Sequence, residues 1–290
     1  MLIKYGFAAA VVVAAVLLTG CSDTDTPRLE EKIVVEPDAA AVDLLPEGVA
    51  GSLVVAINPE YQPNEYLDET GQLAGWTVDL ADAIAQKLGL TFEYTEVAFD
   101  SIVPGVADGT FDVGFSSFTV NAERQELVNF VSYYDAGIQW AQLVGGNVNP
   151  DDACGLTVAV QAGTYQETDE LPAKSDACVA AGKNPISVLP VATQTEATTA
   201  LVLGKADAMS ADSPITLNAV SQIKDQIEVA GEAFDVAPYG IALGKDAGLE
   251  PAFQAAIKSL IADGNYLTVL EGWGVEAGSR EDITINAGAN

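Results

Sequence analysis

From Ser52 onward the chain alternates short apolar runs with amphipathic stretches, and this alternation restricts its fold more than any other feature. Residues 53–57 (LVVAI) read as a buried strand. Residues 78–88 read as a helix, with Leu80, Ile84 and Leu88 on one face and Gly89 as its stop. The pattern continues with strands at 91–97 and 111–115 around a helix at 100–107. Further strands fall at 156–160, 186–191, 206–209 and 239–243, with a helix after Gly163-Thr164 and others at 195–203, 212–220, 249–262 and 266–273. Such alternation predicts an α/β protein with mainly parallel sheets. Ligands of such sheets sit at the carboxyl ends of the strands.

The segment before this body has a different texture. Lys4 precedes an apolar stretch at 7–18, far short of the ~20 residues a membrane span needs. The stretch ends in Leu18-Thr19-Gly20-Cys21, which resembles the bacterial lipobox, whose cysteine is acylated after cleavage. Residues 1–20 then form a lipoprotein signal peptide and Cys21 carries the lipid; an ordinary signal peptide with a chance cysteine is the alternative. A lipid would hold the protein on the outer face of the cell membrane, or in the periplasm, without spanning the membrane. Residues 21–47 are rich in acidic residues and proline and read as a disordered tether. With Cys21 lipidated, Cys154 and Cys178 remain as an even pair in an oxidising compartment and predict a disulfide, with two free buried thiols as the alternative.

Charge removes several classes of function. The chain holds 42 acidic against 12 basic residues and no histidine, for a formal charge of −30. No basic footprint exists for a nucleic acid. Histidine-dependent nucleophilic triads and His-ligated zinc are excluded, and neither a metal nor a cofactor is expected. Against this background arginine stands out. Arg28 lies in the tether and Arg280 near the C-terminus, so Arg124 is read as the one arginine of the folded body. It closes the run Ser116-Ser117-Phe118-Thr119-Val120-Asn121-Ala122-Glu123-Arg124, just past a strand end. A guanidinium fork grips a carboxylate bidentately, and small hydroxyl residues beside it leave backbone N–H groups approachable. A surface ion pair is the competing reading.

The stretch Gly75-Trp76-Thr77-Val78-Asp79-Leu80-Ala81-Asp82-Ala83-Ile84-Ala85 resembles the signature helix of the family 3 bacterial extracellular solute-binding proteins, the polar amino-acid receptors of ABC importers. The resemblance continues in order through Phe99-Asp100-Ser101-Ile102-Val103-Pro104, Gly109-Thr110-Phe111-Asp112-Val113, Thr119 to Arg124, Gly163-Thr164, Gly204-Lys205-Ala206-Asp207-Ala208, Tyr239-Gly240-Ile241-Ala242, Ala262-Asp263-Gly264-Asn265-Tyr266 and Trp273-Gly274. It covers about residues 50–275 and implies a type II periplasmic-binding-protein fold. In that fold two α/β lobes, here 48–137 with 239–290 and 138–238, are joined by two crossover strands and enclose the ligand.

By position, the resemblance makes Arg124 the grip on the ligand α-carboxylate, helped by Ser117, Thr119 and the N–H of Thr164. It makes Asp212 the receiver of the α-ammonium, and it places Asn58, Tyr61 and Phe99 around the ligand side chain. Each has a plainer alternative: Asp212 as a helix N-cap, Tyr61 and Phe99 as core aromatics. The sequence departs from the family pattern at Asn58, Asn64, Trp76-Thr77 and Tyr165, mostly on the expected side-chain pocket. Asn58 in place of an acidic residue tilts the expectation slightly toward an uncharged polar ligand over a cationic one. The implied function is a monomeric receptor that delivers an amino acid to an ABC permease. An exported cyclohexadienyl dehydratase-like enzyme, or a sensing module acting through a partner, are the alternatives.

Overall fold

The computed structural model describes residues 32–286. The expected signal peptide, Cys21 and the first part of the acidic segment lie outside the described residues. The chain opens with α1 (Ala39–Val42), β1 (Ser52–Ile57), β2 (Glu60–Tyr61), β3 (Glu65–Leu67), β4 (Leu73–Ala74) and α2 (Trp76–Lys87). It continues through β5 (Thr91–Glu96), α3 (Phe99–Ala107), β6 (Val113–Thr119), α4 (Ala122–Leu127) and β7 (Val128–Leu143). Next come β8 (Thr157–Gln161), α5 (Leu171–Ala180), β9 (Ser187–Val191), α6 (Gln194–Val202), β10 (Ala208–Asp212) and α7 (Ser213–Gln222). The last elements are β11 (Ile227–Gly244), α8 (Glu250–Ala262) and α9 (Asn265–Trp273).

Eight strands form one mixed sheet in the order β5-β1-β6-β11-β7-β10-β8-β9. The outer pairings are parallel: β1 with β5 and β6, β8 with β9 and β10. The central ones are antiparallel, because β7 and β11 pair with each other from Val128↔Gly244 to Leu143↔Ile227. These two strands run through both halves of the molecule. Around one half, Val55, Trp76, Leu80, Phe115, Val131 and Phe253 belong to a single buried cluster. Around the other, Ile138, Trp140, Val158, Leu171 and Ile186 form a separate one. Two cores joined by two long strands make two lobes, and the small contact of Tyr61 with Ala211 and Ile215 bridges them.

Three sequence expectations need correction. Residues 32–47 are not a free tether. Asp38 caps α1 through the N–H groups of Ala40 and Ala41, Ala41 is fully buried, and Ile33, Val35 and Leu45 pack on the first lobe. The acidic average of the segment masked these apolar positions. Next, β7 carries no local strand signal, and the strand expected at 239–243 is only the last part of β11. Strand β7 is buried on both faces along most of its length, so no alternation marks it. The early part of β11 carries glycine, acidic residues and register shifts. Finally, Arg280 belongs to the folded body, where it is ion-paired with Asp135.

Cys154 and Cys178 form a disulfide that fastens α5 to the loop before β8. Among the described residues no helix is long and apolar enough to cross a membrane.

Candidate functional site

The ends of β6 and β10 deliver the two charged residues of the interlobe cleft. Strand β6 ends at Thr119, and Asn121 caps α4 by accepting the N–H of Arg124 at 2.9 Å. This turn sends the Arg124 side chain back over β6. One terminal nitrogen donates to the Thr119 carbonyl at 2.8 Å, and the other crosses to the Gly163 carbonyl of the second lobe at 2.9 Å. The guanidinium carbon lies 5.6 Å from the centre of the Phe99 ring and 5.7 Å from that of Phe118, and the two rings stack at 4.9 Å. Burial pushes the Arg124 pKa down. Among the described residues no carboxylate is hydrogen-bonded to Arg124 or ion-paired with it.

Asp212 is the opposite case. It ends β10 and occupies the N-cap position of α7, but its side chain makes no capping bond. Its oxygens instead accept from Gln166 Nε2 at 2.7 Å and from the Tyr239 hydroxyl at 2.7 Å. Its own N–H donates to the Tyr61 hydroxyl at 3.3 Å. Burial raises its pKa, against the lowering effect of these hydrogen bonds and of Arg124. No cationic side chain pairs with it among the described residues. A half-buried cation of the first lobe and a buried anion of the second therefore stand where the lobes meet, without pairing with each other.

Most of the other expected residues gather here. Asn58 is buried, donates to the Val97 carbonyl at 2.9 Å, and accepts from Gln161 Nε2 of the second lobe at 2.8 Å. Tyr61 is buried against the second lobe, and Phe99 lies under the guanidinium. Thr119 contributes its carbonyl to Arg124. Thr164 is buried; its hydroxyl donates to the Gln161 carbonyl at 2.7 Å, and its N–H leans on the same oxygen at 3.4 Å. Gly163, just before it, has φ +78, and a β-carbon there would meet the Asp100 side chain at 2.8 Å, so the lobes touch backbone to side chain at this point.

Ser117 sits in the left-handed region at φ 51 and is held by a network that sequence reasoning missed. Its hydroxyl donates to Glu65 Oε2 at 2.9 Å and accepts from Asn64 Nδ2 at 2.9 Å. Trp76 Nε1 donates to Asn64 Oδ1 at 2.6 Å, and the Thr77 hydroxyl donates to Glu65 Oε2 at 2.8 Å. Asn64 and Trp76-Thr77 are departures from the family pattern that were expected to shape the side-chain pocket. They instead meet each other behind Ser117. Their joint appearance was a signal available in the sequence, since a buried Asn requires a partner and Trp offers a donor. Burial raises the Glu65 carboxyl to about 8.

Three more participants went unread. The five residues Gln166–Glu170 wind as a π-helical turn, which aims Gln166 at Asp212. At the end of that turn Glu170 accepts from Trp140 Nε1 and the Ser210 hydroxyl, both at 2.7 Å, and burial raises it to about 7. Tyr239, on β11, connects the first lobe to Asp212. Among the described residues no cluster of His, Cys, Asp or Glu is arranged to hold a metal.

Comparison with known proteins agrees with this architecture. The family described as bacterial extracellular solute-binding proteins, family 3, matches residues 53–276. An arginine-binding protein of Corynebacterium glutamicum is 39% identical over 283 residues, which cover 95% of this chain and 93% of the relative. A solved ancestral arginine-binding protein bound to arginine has a TM-score of 0.71 at 31% identity, covering 77% of this chain and 98% of its own. An ancestral arginine-binding protein bound to glutamine has a TM-score of 0.71 at 32% identity, covering 79% of this chain and all of its own. The slight tilt toward an uncharged ligand, read from Asn58, finds no support among these relatives. With the fold, the ordered motifs and the matched span in agreement, this chain belongs to the bacterial extracellular solute-binding proteins, family 3.

Proposed function

We propose that the protein is an extracytoplasmic receptor that encloses an α-amino acid between its lobes, with arginine as the first candidate, and hands it to an ABC permease. One observation supports this reading: among the described residues Arg124, half-buried on the first lobe, pairs with no carboxylate, and Asp212, buried on the second, pairs with no cation, although both stand where the lobes meet. Leaving either charge uncompensated in a low-dielectric site costs several kcal/mol. A zwitterion supplies the carboxylate and the ammonium together. Ser117, Thr119 and Thr164 line its carboxylate end, and Asn58, Tyr61 and Phe99 its side chain. The lobes are taken as 48–137 with 239–290 and as 138–238, a lipid on Cys21 as the membrane anchor, and the receptor as a monomer.

Closure follows from the division of partners. Arg124 stands on the first lobe and Asp212 on the second, so a ligand meets both only when the lobes are shut. That differential affinity is what drives an open–closed equilibrium. The relatives it matches are binding proteins, and we assign it no catalytic step. Calorimetric titration with arginine, glutamine and alanine tests the reading. Binding that is lost in Arg124→Ala supports it, and wild-type affinity in that variant overturns it.

A further inference from the structure

A buried carboxyl, Glu65, reaches several parts of the expected site from behind. It stands on β3 opposite Tyr61 and is fully buried. Helix α2 starts against its neighbour: a β-carbon on Gly75, at φ +128, would lie 1.9 Å from the Asn64 carbonyl oxygen, an approach that only glycine permits. That approach sets Thr77 on Glu65, and the end of β6 adds Ser116 and Ser117. Ser116 accepts the Asn58 N–H at 3.1 Å and donates to Glu65 Oε1 at 3.1 Å. Ser117 donates to Glu65 Oε2, so its one hydroxyl proton is committed. Its left-handed backbone is uncommon for a non-glycine residue and persists only where the surroundings over-determine it. Asn64 holds the same hydroxyl and approaches the Tyr239 hydroxyl at 3.5 Å, which in turn serves Asp212.

Proton counting favours a neutral Glu65. Thr77 has one hydroxyl proton and two acceptors at 2.8 Å each, the Asn64 carbonyl and Glu65 Oε2. A proton on Glu65 lets the second contact run the other way, from the carboxyl to Thr77, and frees the Thr77 proton for Asn64. Among the described residues no lysine or arginine is hydrogen-bonded to Glu65 or ion-paired with it. The titratable groups around it are Asp212, Tyr61 and Tyr133. Burial keeps both tyrosines protonated, and Asp212 repels a second negative charge.

We propose that Glu65 is a positioning residue of the ligand clamp and works in its neutral form: it donates to Thr77, Thr77 secures Asn64, and Asn64 and Glu65 together fix Ser117 and, through Ser116, Asn58. The proposal rests on Arg124 and Asp212 as the clamp that these residues back. Ionising Glu65 turns the Thr77 proton away from Asn64 and sets a second buried anion behind the residues that meet the ligand carboxylate.

The test is calorimetric titration of arginine and glutamine into the wild type, Glu65→Gln, Glu65→Leu, Thr77→Val and Arg124→Ala from pH 6 to 9, with a thermal melt of each protein. Glu65→Gln is neutral and keeps a donor, so at pH 7 it should bind within about threefold of the wild type. The wild-type affinity relative to Glu65→Gln should then fall about threefold or more between pH 7 and 9, a ratio in which the ligand's own titration cancels. Glu65→Leu should bind about tenfold or more weakly and Thr77→Val about threefold or more. Thr77→Val keeps the carboxyl and answers the question if Glu65→Leu does not fold. A ratio constant across pH overturns the proposal, and so does a tenfold or greater loss in Glu65→Gln. Wild-type affinity in Thr77→Val or in Glu65→Leu overturns it as well. Binding retained in Arg124→Ala would overturn the clamp itself, an outcome that the Glu65 and Thr77 variants cannot mimic.

Discussion

The Tyr239 hydroxyl donates to Asp212 Oδ2 at 2.7 Å, tying the crossover strand β11 to the tip of β10 in the second lobe. With Gln166 on the other oxygen, it keeps a buried carboxylate solvated by protein dipoles instead of water.

The pH dependence of binding should report this arrangement. Asp212 must be ionised to receive an ammonium, and burial raises its pKa. Affinity therefore falls as the pH drops through that raised value. Tyr239→Phe removes a hydrogen bond to the charged form, so the fall begins at a higher pH, with a loss of about 1–2 kcal/mol at neutral pH. Calorimetry between pH 5 and 8 checks both effects; identical profiles would separate Tyr239 from the site.

Arg124→Lys and Asp212→Asn probe the two ends of the clamp. Lysine keeps the charge but loses the planar fork. We expect Arg124→Lys to weaken amino-acid binding about tenfold or more and Arg124→Ala about a hundredfold or more, with Asp212→Asn comparable to the latter. Titration against a fixed panel of amino acids measures this.

Glu65 predicts a pH dependence of stability without ligand. Its folded pKa of about 8 lies above the ordinary 4.5, so the native state holds the proton longer than the unfolded one. Stability from this group is full below the unfolded pKa and is lost as pH rises to about 8. Glu170, raised to about 7, acts with the same sign over a narrower window. Urea unfolding from pH 5 to 9 should show the decline. Glu65→Gln should flatten its upper part, and an unaltered slope would contradict the assignment.

The Cys154–Cys178 bridge closes a separation of 24 residues in the second lobe. The double Cys→Ser variant should lose about 3 kcal/mol of stability on loop-entropy grounds. Arginine binding under folding conditions should persist, because neither cysteine touches the cleft. Thermal melts with and without reductant make the comparison.

Starting the chain at residue 48 tests the packing of the segment before β1. Removing the buried Ala41 and the contacts of Ile33, Val35 and Leu45 should cost at least about 2 kcal/mol. A melting temperature equal to that of a chain starting at residue 32 would mean the segment is only a spacer.

Much of the fold was readable because its outer elements have local signatures. The strand at 53–57 and the helix ending near Gly89 follow from apolar spacing and a stop residue, and both stand within a residue or two of their expected bounds. Strand β7 was unreadable for the opposite reason. Its sequence VNFVSYYDAGIQWAQL mixes polar and apolar residues and is buried along most of its length. What makes it a strand is pairing with β11, more than eighty residues away.

The sequence by itself determined the class of fold and its ordered motifs, together with the charged residues Arg124 and Asp212, since strand–helix periodicity and residue chemistry are local properties. Only the tertiary structure decided that Arg124 and Asp212 meet between the lobes without pairing, and that Asn64, Trp76 and Glu65 lock Ser117. Whether a charge is satisfied depends on which distant atoms surround it in a low-dielectric interior, and burial and partnership are fixed only when the two lobes come together.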